Sequence, residues 1–161
     1  MTAYFAYGSN MDQEDLDRFC REQCGGSFPA RAPGVAELKD YALSFNYYSG
    51  SRKGGAANIM ASPGDLVYGL LFEVNEEEFE MIARKEGAPN FYETIDVLVT
   101  VGGEDIRART FKVAPERETA FTEPTREYMD IIIAAAEAHR FPAWYLDRLR
   151  DIPVPGPRGK E

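Results

Sequence analysis

Two spacings of apolar residues organise this chain. Between 91 and 101 the odd positions Ile95, Val97 and Val99 are apolar, while Tyr92, Thr94 and Asp96 are more polar. That alternation predicts a half-buried strand. Between 76 and 86 the residues Phe79, Ile82 and Ala83 share one helical face. Asn75 and Glu78 have the spacing of a capping box, Arg84 and Lys85 lie in the last turn, and Gly87 stands where a helix stops. A helix over 76–86 follows. A second stripe, Tyr128, Ile131, Ile132 and Ala135, predicts a helix over 125–139, broken by Phe141-Pro142 and followed by a short helix carrying Trp144, Tyr145 and Leu149.

The remaining segments are shorter. Ala3 to Tyr7 reads as a strand ending in Gly8-Ser9-Asn10, with a helix from Asp12 to Cys20 behind it. Strands are expected at 40–46, 56–61 and 66–74, the last two joined by the turn Ser62-Pro63-Gly64-Asp65. Tyr47 to Gly55 reads as a loop. Gly102-Gly103 marks a hairpin whose return strand is 105–113. Strands in hairpin-like succession with helices between them predict an α+β fold with a mixed or mainly antiparallel sheet. The 161 residues fit one domain, 1–152, with a Pro- and Gly-rich flexible tail at 153–161.

Charge and composition narrow the chemistry. Lys and Arg number 18 against 27 Asp and Glu, a formal net charge of −9. That disfavours nucleic acid or an anionic membrane surface as partner. No apolar run is long enough for a membrane helix, and no export signal is read, so a cytoplasmic protein is expected. The two cysteines, Cys20 and Cys24, form neither C-x-x-C nor a zinc ribbon. The single histidine, His139, falls near a helix end, where a cation is favourable in any case. No metal site is expected. A catalyst built from this chain would move protons with a carboxylate, a lysine or a tyrosine.

Three sets of residues are candidates. Glu86 occupies the next position on the Phe79–Ile82–Ala83 stripe, where an apolar side chain is expected, and it sits at the helix C-terminus, where the dipole disfavours negative charge. A carboxylate so placed is a candidate general acid–base. An exposed glutamate paired with Arg84 or Lys85 fits the pattern too. Tyr7-Gly8-Ser9-Asn10 lies between strand and helix, where glycine permits close backbone approach and exposed N–H groups could cradle an anion. A plain turn with a capping side chain also accounts for it. Tyr92 could face a cavity or solvent, and Tyr128 lies on a core-facing stripe. The 47–55 loop lacks the phosphate-loop pattern.

In this order the residues resemble the gamma-glutamylcyclotransferase, or AIG2-like, family. Tyr4-Phe5-Ala6-Tyr7-Gly8-Ser9-Asn10 looks like its N-terminal signature. Asp40-Tyr41 to Phe45, Gly54 to Ile59, and Ser62 to Asp65 with Val67 and Gly69 follow. Glu86-Gly87 stands where the catalytic Glu-Gly does, and Tyr92 and Tyr128 match family tyrosines. The similarity spans about residues 3–152. It implies a barrel-like sheet with flanking helices and a cavity at one end, no metal and no cofactor, and a monomer or homodimer. It implies an amine-releasing lyase or transferase of glutathione metabolism, closing a gamma-glutamyl amide to 5-oxoproline. Glu86 would carry the proton, while Tyr7, Gly8, Ser9, Asn10, Tyr92 and Tyr128 would bind substrate. Arg52 and Lys53 depart from the family pattern and are candidates to face the leaving group. A small-ligand-binding or interaction module on the same fold is the alternative.

Overall fold

The computed structural model describes residues 1–23 and 34–156. Strand β1 (Thr2–Ala6) leads through a single 3-10 turn, Ser9–Met11, into helix α1 (Gln13–Gln23). Strands β2 (Gly34–Ser44), β3 (Tyr48–Ser49), β4 (Gly54–Gly55) and β5 (Asn58–Val74) follow, then helix α2 (Glu76–Glu86). The hairpin β6 (Tyr92–Val101) and β7 (Glu104–Val113) precedes helices α3 (Arg126–Ala138) and α4 (Ala143–Arg150). Five strands close a barrel in the order β1-β5-β2-β6-β7. All neighbours are antiparallel except β1 and β7, which close the barrel in parallel. The sheet is therefore mixed, and the fold is the expected α+β barrel. Cys24 lies outside the described residues. Of the expected tail, Val154 is buried among the core residues and 157–161 fall outside the described residues.

The two strands expected at 56–61 and 66–74 are one long strand, β5, paired with β2 along its length. The turn chemistry between them is real but does a different job. Lys39 pairs with Leu66 and Tyr41 with Ala61, so residues 62–65 bulge out opposite Asp40 alone. Asp40 adopts φ 66° and Gly64 φ 89°. The Gly64 amide donates to Asp40 Oδ1 at 2.9 Å, and Ser62 Oγ to Asp65 at 2.5 Å. A bulge of this kind bends a strand, and a bent strand lets a sheet this small close on itself. The strand expected at 40–46 starts at Gly34, and the 47–55 loop contains the small hairpin β3–β4.

Aromatic rings fill the barrel. Tyr4 packs on Phe72, Phe79 and Phe111, with ring centroids 5.8–6.3 Å apart. Buried Asn58 ties β5 to the end of β7, its Oδ1 accepting from the Val113 amide at 2.9 Å. Gly69 is where β5 crosses closest to β1. A Cβ there would stand 2.4 Å from the Ala6 carbonyl oxygen and 2.6 Å from the Phe5 ring. Gly69→Ala should therefore destabilise the fold by about 1–3 kcal/mol, the usual cost of overpacking. Urea unfolding checks it, and an unchanged midpoint would show that the two strands can separate without loss.

Candidate active site

The end of α2 is built as its sequence indicates. Asn75 accepts from the Glu78 amide, and Glu78 reaches back to the Asn75 amide, each at 2.8 Å. At the other end Gly87 turns left-handed at φ 74°, and Ala88 donates to Ala83 O at 3.0 Å. This Schellman closure stops the helix directly after Glu86. A side chain at Gly87 would also meet the Phe91 ring at 2.8 Å. Glu86 is half-buried and lines a cavity with Tyr4, Tyr7, Gly8, Asn10, Tyr92 and Tyr128. The structure thus brings Tyr7, Gly8, Ser9, Asn10, Glu86, Tyr92 and Tyr128 to one place, while Arg52 lines only an outer groove and Lys53 lines neither cavity nor groove.

Asn10 holds the carboxylate. Its Nδ2 donates to Glu86 Oε2 and to the Tyr4 hydroxyl, both at 2.8 Å, while its Oδ1 accepts from Lys85 Nζ at 2.6 Å. Lys85 does not pair with its neighbour Glu86. It turns to Asp15 of α1, 3.1 Å away. Asp15 also accepts from Arg52 Nη2 at 2.7 Å and faces Arg18 at 3.2 Å. Arg52 completes the ring, donating to Ser9 Oγ at 3.2 Å and lying 5.2 Å over the Tyr128 ring.

Gly8 lies at φ −120°, so it is not left-handed, and its need for glycine is one of space. A Cβ would stand 3.2 Å from Ala57 Cβ and 3.7 Å from the Tyr128 hydroxyl. The 3-10 turn uses the carbonyls of Gly8 and Ser9, which accept from Met11 and Asp12. The leading amides, Ser9 and Asn10, have no partner within that turn, as at any helix start. Opposite them, β4 passes under the segment before α3. Gly55 donates to Glu123 O at 2.9 Å, and a Cβ on Gly55 would overlap the Thr122 carbonyl. That close crossing sets the Ala57 peptide between two tyrosines. Its N–H donates to the Tyr128 hydroxyl at 3.0 Å, and its carbonyl accepts from Tyr92 at 2.8 Å.

The phenols stay protonated. Burial, and then the charge of Glu86, raise Tyr4 and Tyr7 well above the usual tyrosine value. Burial and the neighbouring Tyr128 and Tyr7 do the same to Tyr92. Tyr128 is pushed up to about 12 by burial, despite the bond from Ala57. Tyr7 and Tyr92 give their protons to the Phe111 and Ala57 carbonyls. Tyr128 and Tyr4 instead accept, from Ala57 and Asn10, so each has its proton to give.

The inner cavity measures about 30 Å³, room for about two waters or one carboxylate. It shares Ser9, Glu86, Tyr92 and Tyr128 with an outer groove of about 760 Å³. Among the described residues no group of three or more His, Cys, Asp or Glu stands where it could hold a metal. No described helix is long and apolar enough to cross a membrane. Tyr4, Asp15 and Lys85 carry the site without having been singled out for it. Asp15 and Lys85 read locally as first-turn and last-turn charges of their helices, which hides a contact made across the fold. For Arg52 the signal was present, in a cationic loop that departs from the family pattern.

A fixed carboxylate thus stands beside backbone and phenol donors in a cavity of a closed barrel. A family model described as "AIG2-like family" matches residues 66–149. Gamma-glutamylcyclotransferase of Homo sapiens is 32% identical over 155 residues, covering 92% of this chain and 77% of the relative. The Mus musculus protein of the same name is 30% identical over 169 residues, covering 98% and 81%. A solved gamma-glutamyl cyclotransferase superposes with a TM-score of 0.82 at 28% identity, over 99% of this chain and 92% of that one. The chain belongs to the AIG2-like gamma-glutamylcyclotransferase family and is an enzyme of that family.

Asp15 carries a pH signature. Burial alone would raise its carboxyl, but Lys85 and the bond from Arg52 outweigh that and hold it below the usual 3.8. A carboxyl depressed in the folded state stabilises fully above its unfolded value and loses that contribution as pH falls through the folded one. Asp15→Asn should cost on the order of 3 kcal/mol near neutrality, because it strands buried cations. The difference from wild type should shrink below about pH 3.8. Urea unfolding from pH 7 down to pH 3 checks this, and a difference constant with pH would remove the ion cluster as its cause.

Proposed function

We propose that Glu86 is the proton carrier of an intramolecular aminolysis that closes a gamma-glutamyl amide to 5-oxoproline and releases an amino acid or amine. The observation that carries this reading is the single hydrogen bond from Asn10 to Glu86 Oε2. It fixes one carboxylate oxygen and leaves Oε1 without a hydrogen-bond partner among the described residues, on a side chain that lines the cavity. Glu86 takes a proton from the substrate α-ammonium. The freed amine attacks the gamma-carbonyl carbon, and its C–N bond closes the ring. The carbonyl oxygen becomes an oxyanion, with the Ser9 and Asn10 amides and the Tyr128 hydroxyl as its donors. Glu86 then returns the proton to the leaving nitrogen as the old C–N bond breaks, and the second proton of the new ring nitrogen passes through the same carboxylate to the released amine, which leaves as an ammonium. Protons and charges balance with no cofactor.

Orientation supplies much of the rate, since nucleophile and electrophile belong to one molecule that the cavity need only fold. The substrate carboxylate suits the narrow inner end, with the scissile amide at the mouth formed by Ser9, Glu86, Tyr92 and Tyr128. The same reading puts the enzyme in the cytoplasm, where a chain without a paired-cysteine motif works reduced.

Glu86→Gln keeps the size of the side chain and its bond to Asn10 but cannot shuttle a proton. Turnover of gamma-glutamyl-alanine, followed as 5-oxoproline released, should fall by about 10²–10⁴-fold with folding unchanged. A variant keeping more than about a tenth of wild-type kcat would exclude Glu86 as the carrier.

A further inference from the structure

Resting on that reading, we infer that the outer groove selects the leaving group, and that its preferred occupant is an amino acid with a large apolar or aromatic side chain. An amino-acid leaving group carries two features on the carbon next to the scissile nitrogen, a carboxylate and a side chain. The groove offers a reader for each.

The carboxylate reader is Arg52. Both of its bonds, to Ser9 and Asp15, are made by Nη2. Its other donors, Nη1 and Nε, have no partner among the described residues. The guanidinium is thus fixed at one corner and open at the rest, a geometry suited to bidentate capture of a carboxylate. Asp15 does not cancel it, because that one carboxylate faces Arg18, Arg52 and Lys85 together. The half-exposed position at the groove wall keeps the open side accessible.

The side-chain reader is a run of aromatic rings. It starts at Tyr92, which lines both inner cavity and groove. Tyr47 meets Tyr92 edge-on at 5.7 Å, and Phe91 follows at 6.4 Å from Tyr47. Phe91 is 39% exposed in the groove wall, although it directly precedes buried Tyr92. Arg117 lies 4.6 Å over its ring and holds it in place. An exposed aromatic wall that continues out of a reaction cavity fits an apolar part of the same substrate.

Three substrates separate the parts: gamma-glutamyl-phenylalanine, gamma-glutamyl-alanine and gamma-glutamyl-phenethylamine. With the wild-type chain, kcat/KM should be about tenfold or more higher for the phenylalanine conjugate than for the alanine one. It should be at least about tenfold higher than for the phenethylamine conjugate, which keeps the ring but lacks the carboxylate. Phe91→Ala should reduce the first ratio and Arg52→Met the second. Equal values across the wild-type series, or ratios that ignore both substitutions, would overturn the inference while leaving cyclisation intact. No 5-oxoproline from any of the three would instead overturn the cyclisation on which it rests.

Discussion

The carboxamide of Asn10 ties the site to the fold. Its two N–H donors go to Tyr4 in the barrel and Glu86 at the end of α2, and its oxygen goes to Lys85. The orientation is dictated by the partners, since an ammonium can only donate and an ionised carboxylate can only accept. Through Lys85 the amide reaches Asp15 on α1, and through Asp15 it reaches Arg52 in the β3–β4 hairpin. One polar side chain in the turn after β1 therefore fixes the catalytic candidate against elements far apart in sequence. An aspartate at this position would set two carboxylates side by side, and a leucine would leave Glu86 Oε2 without its donor.

The charge pattern acquires a local meaning from this arrangement. A net charge of −9 argues against anionic partners for the chain as a whole. Yet the mouth of the site concentrates Arg18, Arg52 and Lys85 around one buried aspartate. Lys85 and Arg52 are 9% and 26% exposed, so salt screens their charges little.

What could be read in the sequence was what local chemistry determines. The capping box at Asn75, the left-handed Gly87 and the inward stripe that leads to Glu86 are all fixed within a dozen residues, and each stands where the pattern put it. The barrel, with its candidate residues gathered at one end, followed from the resemblance. What stayed hidden depends on partners far along the chain. Asp15 satisfies the helix-dipole rule so well that nothing marks it as the acceptor of three cations. Residues 62–65 have every property of a hairpin turn, and only pairing with β2 converts them into a bulge. Glycine at position 8 was expected for close approach, and the approach is real, but it is Ala57 and Tyr128 that come close.

The four tyrosines of the cavity show why a list of site residues is less informative than the direction of their protons. All are held protonated, chiefly by burial. Tyr7 and Tyr92 close bonds to backbone carbonyls and so brace the cavity wall. Tyr128 accepts from the Ala57 amide, which turns its own hydrogen away from the backbone. The Ala57 peptide thus fixes both rings and assigns them opposite parts, one phenol spent on structure and the other kept as a donor. Substituting phenylalanine would leave a bare carbonyl at Tyr92 and a bare amide at Tyr128, yet only the second change removes a proton that substrate could use. The groups the fold leaves unspent are Glu86 Oε1, the Tyr4 and Tyr128 hydroxyls and the leading amides of the 3-10 turn.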